Sequence, residues 1–153
     1  MDDIYEYIKA DHKKVAHLFE QFEKEKSSDI KVEIVTMIVK ELLLHSHSEQ
    51  ETFYKKLEEY PASREDAEHG EEEHKEIEDQ INVVVAGCAT PNKAWETKVL
   101  ELKKIVDDHV KEEEGEIFSK AKQVLDEDEA LRLKEQMHTY KTRILQNAAL
   151  DSI

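Results

Sequence analysis

Residues 109–122 read HVKEEEGEIFSKAK. His109 and Glu113 stand four apart, so on a helix they share one face and address one centre. Steps of three and four carry that face back through Val106 to Leu102 and forward to Ile117. The stripe is apolar except at one level, which is the pattern of a core-facing helix with a polar insertion. Residues 45–57, HSHSEQETFYKKL, repeat it: His45 and Glu49 lie on a stripe with Val35, Ile38, Leu42 and Phe53. His47 and Glu51 have the same spacing, but their helical neighbours Lys40, Leu43, Leu44, Tyr54 and Glu58 are mixed and mostly polar. His45 and Glu49 therefore face the core, and His47 faces solvent.

Two more stripes carry one histidine each. The first runs Ile4, Ile8, His12, Val15, Phe19 and Phe22; the second runs Ala67, Gly70, His74, Ile77, Ile81 and Val84. His12 lies 15 residues before Ser27 and His45 lies 16 after Asp29. Glu49 lies 12 before Pro61 and His74 lies 11 after Ser63. His109 fits less well, 18 after Pro91 where His74 is 13 before Gly87. That offset amounts to about 7 Å of helix, to be absorbed by a loop or a displaced helix start.

The chain has 153 residues, only 3 Gly and 2 Pro, and 39% charged residues. Few breakers and many good helix formers favour an all-α fold, and the length suits one domain, 1–153. Breaks fall at Ser27-Ser28-Asp29, at Tyr60-Pro61-Ala62-Ser63 with Ser63 as N-cap, at Gly87 to Pro91 with Thr90 as N-cap and Pro91 at the first helical position, and at Leu125-Asp126-Glu127. The helices expected are 3–26, 29–60, 64–87, 91–124 and 127–148. Four long helices with short connections give an up-down-up-down four-helix bundle over about 2–124. The fifth, with Leu131, Leu133, Met137, Tyr140, Ile144 and Leu145, is an additional C-terminal helix that packs outside the bundle or against a partner.

A formal net charge of -15 repels phosphate backbones and anionic lipid, so neither nucleic acid nor a membrane surface is an expected partner. One cysteine, Cys88, allows no internal disulfide. The first residues, MDDIYEYIKADHKK, lack the basic-then-apolar form of a signal peptide. A cytoplasmic protein is the expectation.

Two glutamates and four imidazoles in one apolar layer are costly unless something answers their charge; buried carboxylates neutralise or bind metal. Imidazole offers a neutral nitrogen, and a carboxylate can bridge two cations. Mixed His and carboxylate ligation without Cys suits iron, with manganese or zinc as alternatives. His12, His45, Glu49, His74, His109 and Glu113 are the expected metal ligands.

These stretches resemble the hemerythrin-like family, the HHE cation-binding domain. The resemblance covers about 2–124 and rests on ADHKKVAHLFEQF, HSHSEQETFYKKL, EEEHKEI and HVKEEEGEIFSKAK. It implies a non-haem di-iron centre bridged by carboxylates and an oxo or hydroxo group. His12 and His45 would bind one iron, His74 and His109 the other, and Glu49 and Glu113 would bridge. Oxygen-carrying members have a further His four residues before the position of His74, where this chain has Gly70. Glu71, Glu78 or His69 fills that place, or it stays open to water, or Gly70 serves close helix packing.

His17 and His138 read as surface or packing residues, Cys88 as an incidental thiol, and Tyr5, Tyr7, Tyr54 and Trp95 as packing aromatics. Glu112 and Glu116 are candidates for a role just outside the ligands. The function expected is binding or reaction of a small oxidant (dioxygen, hydrogen peroxide or nitric oxide) for sensing or detoxification. The alternative is reversible oxygen or iron binding, or storage, without turnover.

Overall fold

The computed structural model describes residues 2–151, with side chains as far as residue 148. The ends of the expected 1–153 domain, Met1, Ser152 and Ile153, lie outside the described residues. Among the described residues the chain is all-helical, in five helices without strands. α1 is Ile4–Lys24. α2 runs from Ser28–Glu49 through a π-helical turn, Gln50–Tyr54, into Lys55–Leu57. α3 is Pro61–Ala86. α4 runs from Lys93–Glu112 through a second π turn, Glu113–Ile117, into Phe118–Val124. α5 is Glu127–Asp151. None of these helices is long and apolar enough to cross a membrane.

Side-chain oxygens set most of the helix starts. Asp3 accepts from the Glu6 amide, Ser27 from Ile30, Asn92 from Trp95 and Asp126 from Glu129, each satisfying an amide that the first turn leaves free. Two starts differ from those read in the sequence. α3 begins at Pro61, whose fixed φ suits the first helical position; Ser63 is inside the helix, buried, and its hydroxyl donates to the Leu57 carbonyl at 2.7 Å. α4 begins after Asn92 rather than Thr90. Thr90 and Pro91 belong to the preceding turn, in which the Thr90 amide donates to the Gly87 carbonyl.

Every residue of the four stripes is buried. They pack into two apolar clusters. One joins Val15, Phe19 and Phe22 of α1, Val35, Ile38 and Leu42 of α2, Ile77, Ile81 and Val84 of α3, and Trp95, Val99, Leu102 and Val106 of α4. The other joins Ile4, Tyr5 and Ile8 of α1, Phe53, Tyr54 and Leu57 of α2, Ala67 of α3, and Ile117, Phe118 and Ala121 of α4, closed by Ala130, Leu133 and Met137 of α5. Between the clusters, at the same level of all four helices, lie the histidines and glutamates singled out above. The C-terminal helix is thus part of the core.

The cap of α4 gives the first prediction. Asn92→Ala should cost about 1 kcal/mol of stability and Thr90→Ala close to nothing, read from denaturant midpoints at constant slope. The opposite order would return the helix start to Thr90.

Candidate metal centre

Glu49 and Glu113 are fully buried, and their ion pairs among the described residues are with histidine alone. Glu49 Oε2 lies 3.5 Å from His45 Nε2, and its Oε1 lies 3.0 Å from His74 Nε2. Glu113 Oε1 lies 3.0 Å from His12 Nε2, and its Oε2 lies 3.7 Å from His109 Nε2. Each carboxylate therefore turns one oxygen to the His12/His45 pair and the other to the His74/His109 pair. Ligand atoms of His12, His45, Glu49 and Glu113 lie within 4.8 Å of one another, as do those of Glu49, His74, His109 and Glu113. Opposite ligands of a single ion are about 4 Å apart, twice a bond of about 2.0–2.2 Å for zinc.

Close as these atoms are, several point past one another. His12 Nε2, His45 Nε2, Glu113 Oε1 and both oxygens of Glu49 make no hydrogen bond of proper geometry. Buried polar atoms are rarely left so. Four of these, His12 Nε2, His45 Nε2, Glu49 Oε2 and Glu113 Oε1, belong to the His12/His45 side, where one cation would satisfy them together, and Glu49 Oε1 faces the His74/His109 side.

The outer ring nitrogens are all held. His45 Nδ1 meets Asp11 Oδ2 at 2.7 Å, His74 Nδ1 meets Gln50 Oε1 at 2.9 Å, His109 Nδ1 meets Glu73 Oε1 at 2.9 Å, and His12 Nδ1 meets Glu114 Oε2 at 2.7 Å. An acceptor there favours the proton on Nδ1; in His12 and His45 Nε2 is left unbonded, while His74 Nε2 and His109 Nε2 lie 3.1 Å from each other. The partners form a closed ring: α1 holds the histidine of α2, α2 that of α3, α3 that of α4, and α4 that of α1. Each partner is the chain neighbour of an inner residue, in Asp11-His12, Glu49-Gln50, Glu73-His74 and Glu113-Glu114. The sequence offered Glu112 and Glu116 as candidates for this role; Glu114 takes it, Glu112 meets the exposed His69 and the rim carboxylate Glu73 rather than an inner histidine, and Glu116 is exposed.

Burial opposes charge on His45, but Glu49 and Asp11 outweigh it and raise its pKa to about 10. Burial likewise raises Glu49, yet His45 and His74 bring it well below the usual carboxylate range. His74 is lowered, burial prevailing over Glu49, whereas His109 is raised because Glu73 and Glu113 overcome its burial.

Tyr54 is the residue that sequence reasoning missed. It is fully buried, stacks on His74 with centroids 5.1 Å apart, and donates its hydroxyl to Glu113 Oε2. Burial, then Glu113 and Glu49, holds that phenol protonated far above its ordinary pKa. On an unbroken α-helix Tyr54 would point about 140° from Glu49. The π turn, with i→i+5 bonds, brings the fifth residue back over the first. The buried Thr52 hydroxyl donates to the Ser48 carbonyl within this turn. α4 does the same after Glu113, where Ile117 and Phe118 are both buried.

Tyr54 also accounts for Gly70. A Cβ on Gly70 would lie 2.7 Å from Tyr54 Cζ and 2.8 Å from its hydroxyl oxygen. The place is filled by a phenol from α2, so close packing explains the glycine and no position stands open there. Glu71 does not reach the centre; it sits with Glu58, and burial and that neighbour raise its pKa to about 7. Glu78 pairs with the exposed His47 at 3.5 Å, and His69 with Glu112 at 2.8 Å. His17 is exposed, and His138 lies 3.1 Å from the Tyr7 hydroxyl. Burial pushes the Cys88 thiol up, which suits an inert residue.

The sequence model of the hemerythrin HHE cation-binding domain matches residues 3–121. The chain belongs to that family. Searches of curated proteins and of solved structures find no match. The match ends before α5, and the His and Glu clusters within it are of a kind that can hold a metal. Here the donor set, the unbonded buried atoms and the oriented imidazoles all fit that role.

The packing at Gly70 can be tested in isolation. In an open helix Gly→Ala gains about 1 kcal/mol. Here the Tyr54 ring is locked by its stack and its hydrogen bond, and overpacking of this kind costs about 1–3 kcal/mol, so Gly70→Ala should be a net loss. In a Tyr54→Leu background the same change should become neutral or favourable, a coupling read from a double-mutant cycle. A stabilising Gly70→Ala in the parent chain would place the ring elsewhere.

Proposed function

We propose that the protein is a non-haem di-iron protein that binds or reacts with a small oxidant, namely dioxygen, hydrogen peroxide or nitric oxide, in sensing or detoxification. One observation carries the reading: two buried carboxylates, each with its oxygens divided between two histidine pairs. His12 and His45 would hold one iron, His74 and His109 the other, with Glu49 and Glu113 across both. Tyr54 places a protonated hydroxyl beside Glu113 at the same place. Four nitrogens and several oxygens, with no thiolate, favour iron over softer-ligand metals. The arrangement fits an up-down-up-down bundle. The first cluster takes the later part of α1 and α3 and the earlier part of α2 and α4, and the second cluster takes the reverse.

Bound iron supplies the electrons and a coordination position for the oxidant. The chain supplies the rest. A cavity of about 20 Å³ adjoins the imidazoles, walled by Val15, Leu42, Ile77, Val106 and Val110. That is about the room of one water, which fits a diatomic molecule or peroxide and excludes an organic substrate. Phe19 and Phe53 do not line it and pack in the two apolar clusters. A groove of about 510 Å³ beside Tyr5 and Leu131 shares no residue with the site. The Asp11, Gln50, Glu73 and Glu114 contacts orient the imidazoles before metal arrives, and the Tyr54 hydroxyl holds a proton against Glu113. The charge of -15 supports a small-molecule partner over nucleic acid or membrane.

Protein made in iron-replete cells should carry about two irons per chain. Chelation should remove them and lower the melting temperature, because ligands assembled only in the folded state couple binding to stability. The loaded protein should change its ultraviolet-visible spectrum with at least one of the three oxidants. Trace metal and identical melting with and without chelator would end the proposal.

The helix phase makes a sharper demand. His45→Ala should abolish the centre, and His47→Ala, at an exposed ion pair, should leave iron content unchanged. Iron lost from the second variant and kept by the first would require a new register for α2.

A further inference from the structure

Asp11 differs from the other three outer partners. Its Oδ2 meets His45 Nδ1 at 2.7 Å, and the same oxygen accepts from Lys141 Nζ on α5. The Lys141 and Asp11 side chains are 12% and 16% exposed. The ammonium is also held 4.5 Å from the centre of the Tyr7 ring, whose hydroxyl meets His138 one helical turn earlier on α5. Leu133 and Met137 anchor α5 in the second apolar cluster. Lys141 lies twenty residues beyond 121, where the match to the family ends.

We propose that Lys141 is a positioning residue of the metal centre, contributed by a helix outside the family domain, whose ammonium shares Asp11 Oδ2 with His45 Nδ1 and limits the charge that Asp11 passes to His45. A carboxylate behind a ligating imidazole draws on its proton and makes the ring a stronger donor. A cation on the same oxygen weakens that pull. An exposed Lys–Asp pair would contribute little; this one is mostly buried and its acceptor is already engaged. Removing the ammonium leaves Oδ2 to His45 alone. The hydrogen bond then strengthens, His45 becomes more electron-rich, and the oxidised form of a metal bound to it gains stability. The redox consequence rests on the di-iron reading above, whereas the Lys141–Asp11–His45 link is a property of the chain itself.

The test uses the full chain with Lys141→Met, Lys141→Arg, Asp11→Asn and the double variant Asp11→Asn/Lys141→Met. In metal-free protein the His45 Nδ1 proton resonance, assigned by its loss in His45→Gln, should move downfield in Lys141→Met and return in Lys141→Arg. The double variant should match Asp11→Asn, because Lys141 acts only through Asp11. In iron-loaded protein Lys141→Met should shift the midpoint potential to more negative values at unchanged iron content. If Lys141→Met melts markedly lower, Lys141→Gln, which keeps a donor without the charge, gives the same readings. A resonance that does not move in Lys141→Met, or moves equally with and without Asp11, overturns the proposal. An unmoved potential in a chain that holds iron overturns its redox part. A parent chain that takes up no iron overturns the di-iron reading instead, and the metal-free resonance still decides the role of Lys141.

Discussion

Two carboxylates with no solvent exposure sit between two apolar clusters, and the structure is arranged around answering their charge. An ionised carboxylate taken out of water loses several kcal/mol or more unless it is paired and hydrogen-bonded. No lysine or arginine pairs with Glu49 or Glu113 among the described residues; only imidazoles do. The imidazoles are themselves buried, so each needs an acceptor behind it. That need reaches outward to Asp11, Gln50, Glu73 and Glu114, and there the layer meets water. Polar satisfaction at the centre thus fixes which residues occupy the rim, and each of α1 to α4 contributes one histidine to the centre and one rim group for its neighbour.

The π turns follow from the same constraint. Glu49 and Glu113 must point inward from the middle of long helices, and the helices must then return to an apolar inner face for the second cluster. An i→i+5 turn, following Glu49 in α2 and starting at Glu113 in α4, widens the inward arc, so that Phe53 with Tyr54, and Ile117 with Phe118, can all be buried. In α2 the second of these is a tyrosine, which gives the layer a neutral donor for Glu113. The matching residue of α4 is Phe118, with no polar atom. The glycine across from Tyr54 makes room for the ring, so α2, α3 and α4 are matched to one another at this single contact.

Much of this was legible in the sequence, because helical period is a strong signal when a stripe is apolar on both sides of a polar level. The i,i+4 pairs, the choice of His45 over His47 and the six buried groups all came from that period. The π turns did not, since the period that reveals a helix assumes they are absent, and Tyr54 was set aside on that account. Gly70 was read either as a place beside a histidine of its own helix or as a site of close helix packing; the packing reading holds, and the ring that requires it comes from α2. The N-caps at Ser63 and Thr90 were misplaced because Pro61 and Asn92 are better helix starts than their neighbours. The rim partners left a trace that could have been used: an acidic or amide residue stands beside one inner group on each helix. The trace is faint in a chain with 39% charged residues, where such neighbours are common.

The rim also distributes charge unevenly between the two halves of the site. His12 and His45 are backed by two carboxylates, Glu114 and Asp11, while His74 and His109 are backed by one neutral amide, Gln50, and one carboxylate, Glu73. Left so, the first pair would carry one more negative charge at hydrogen-bonding distance, in a layer where such charges are poorly screened. Lys141 removes that difference, since its cation rests on Asp11 and brings the two rims to the same formal sum. Under the proposed di-iron reading both carboxylates would be shared between the two pairs, so an imbalance behind one pair would be felt at both. A helix beyond the family domain therefore contributes more than apolar cover to the second cluster. It sets the electrostatic balance across the site, which the four bundle helices alone would leave tilted toward His12 and His45.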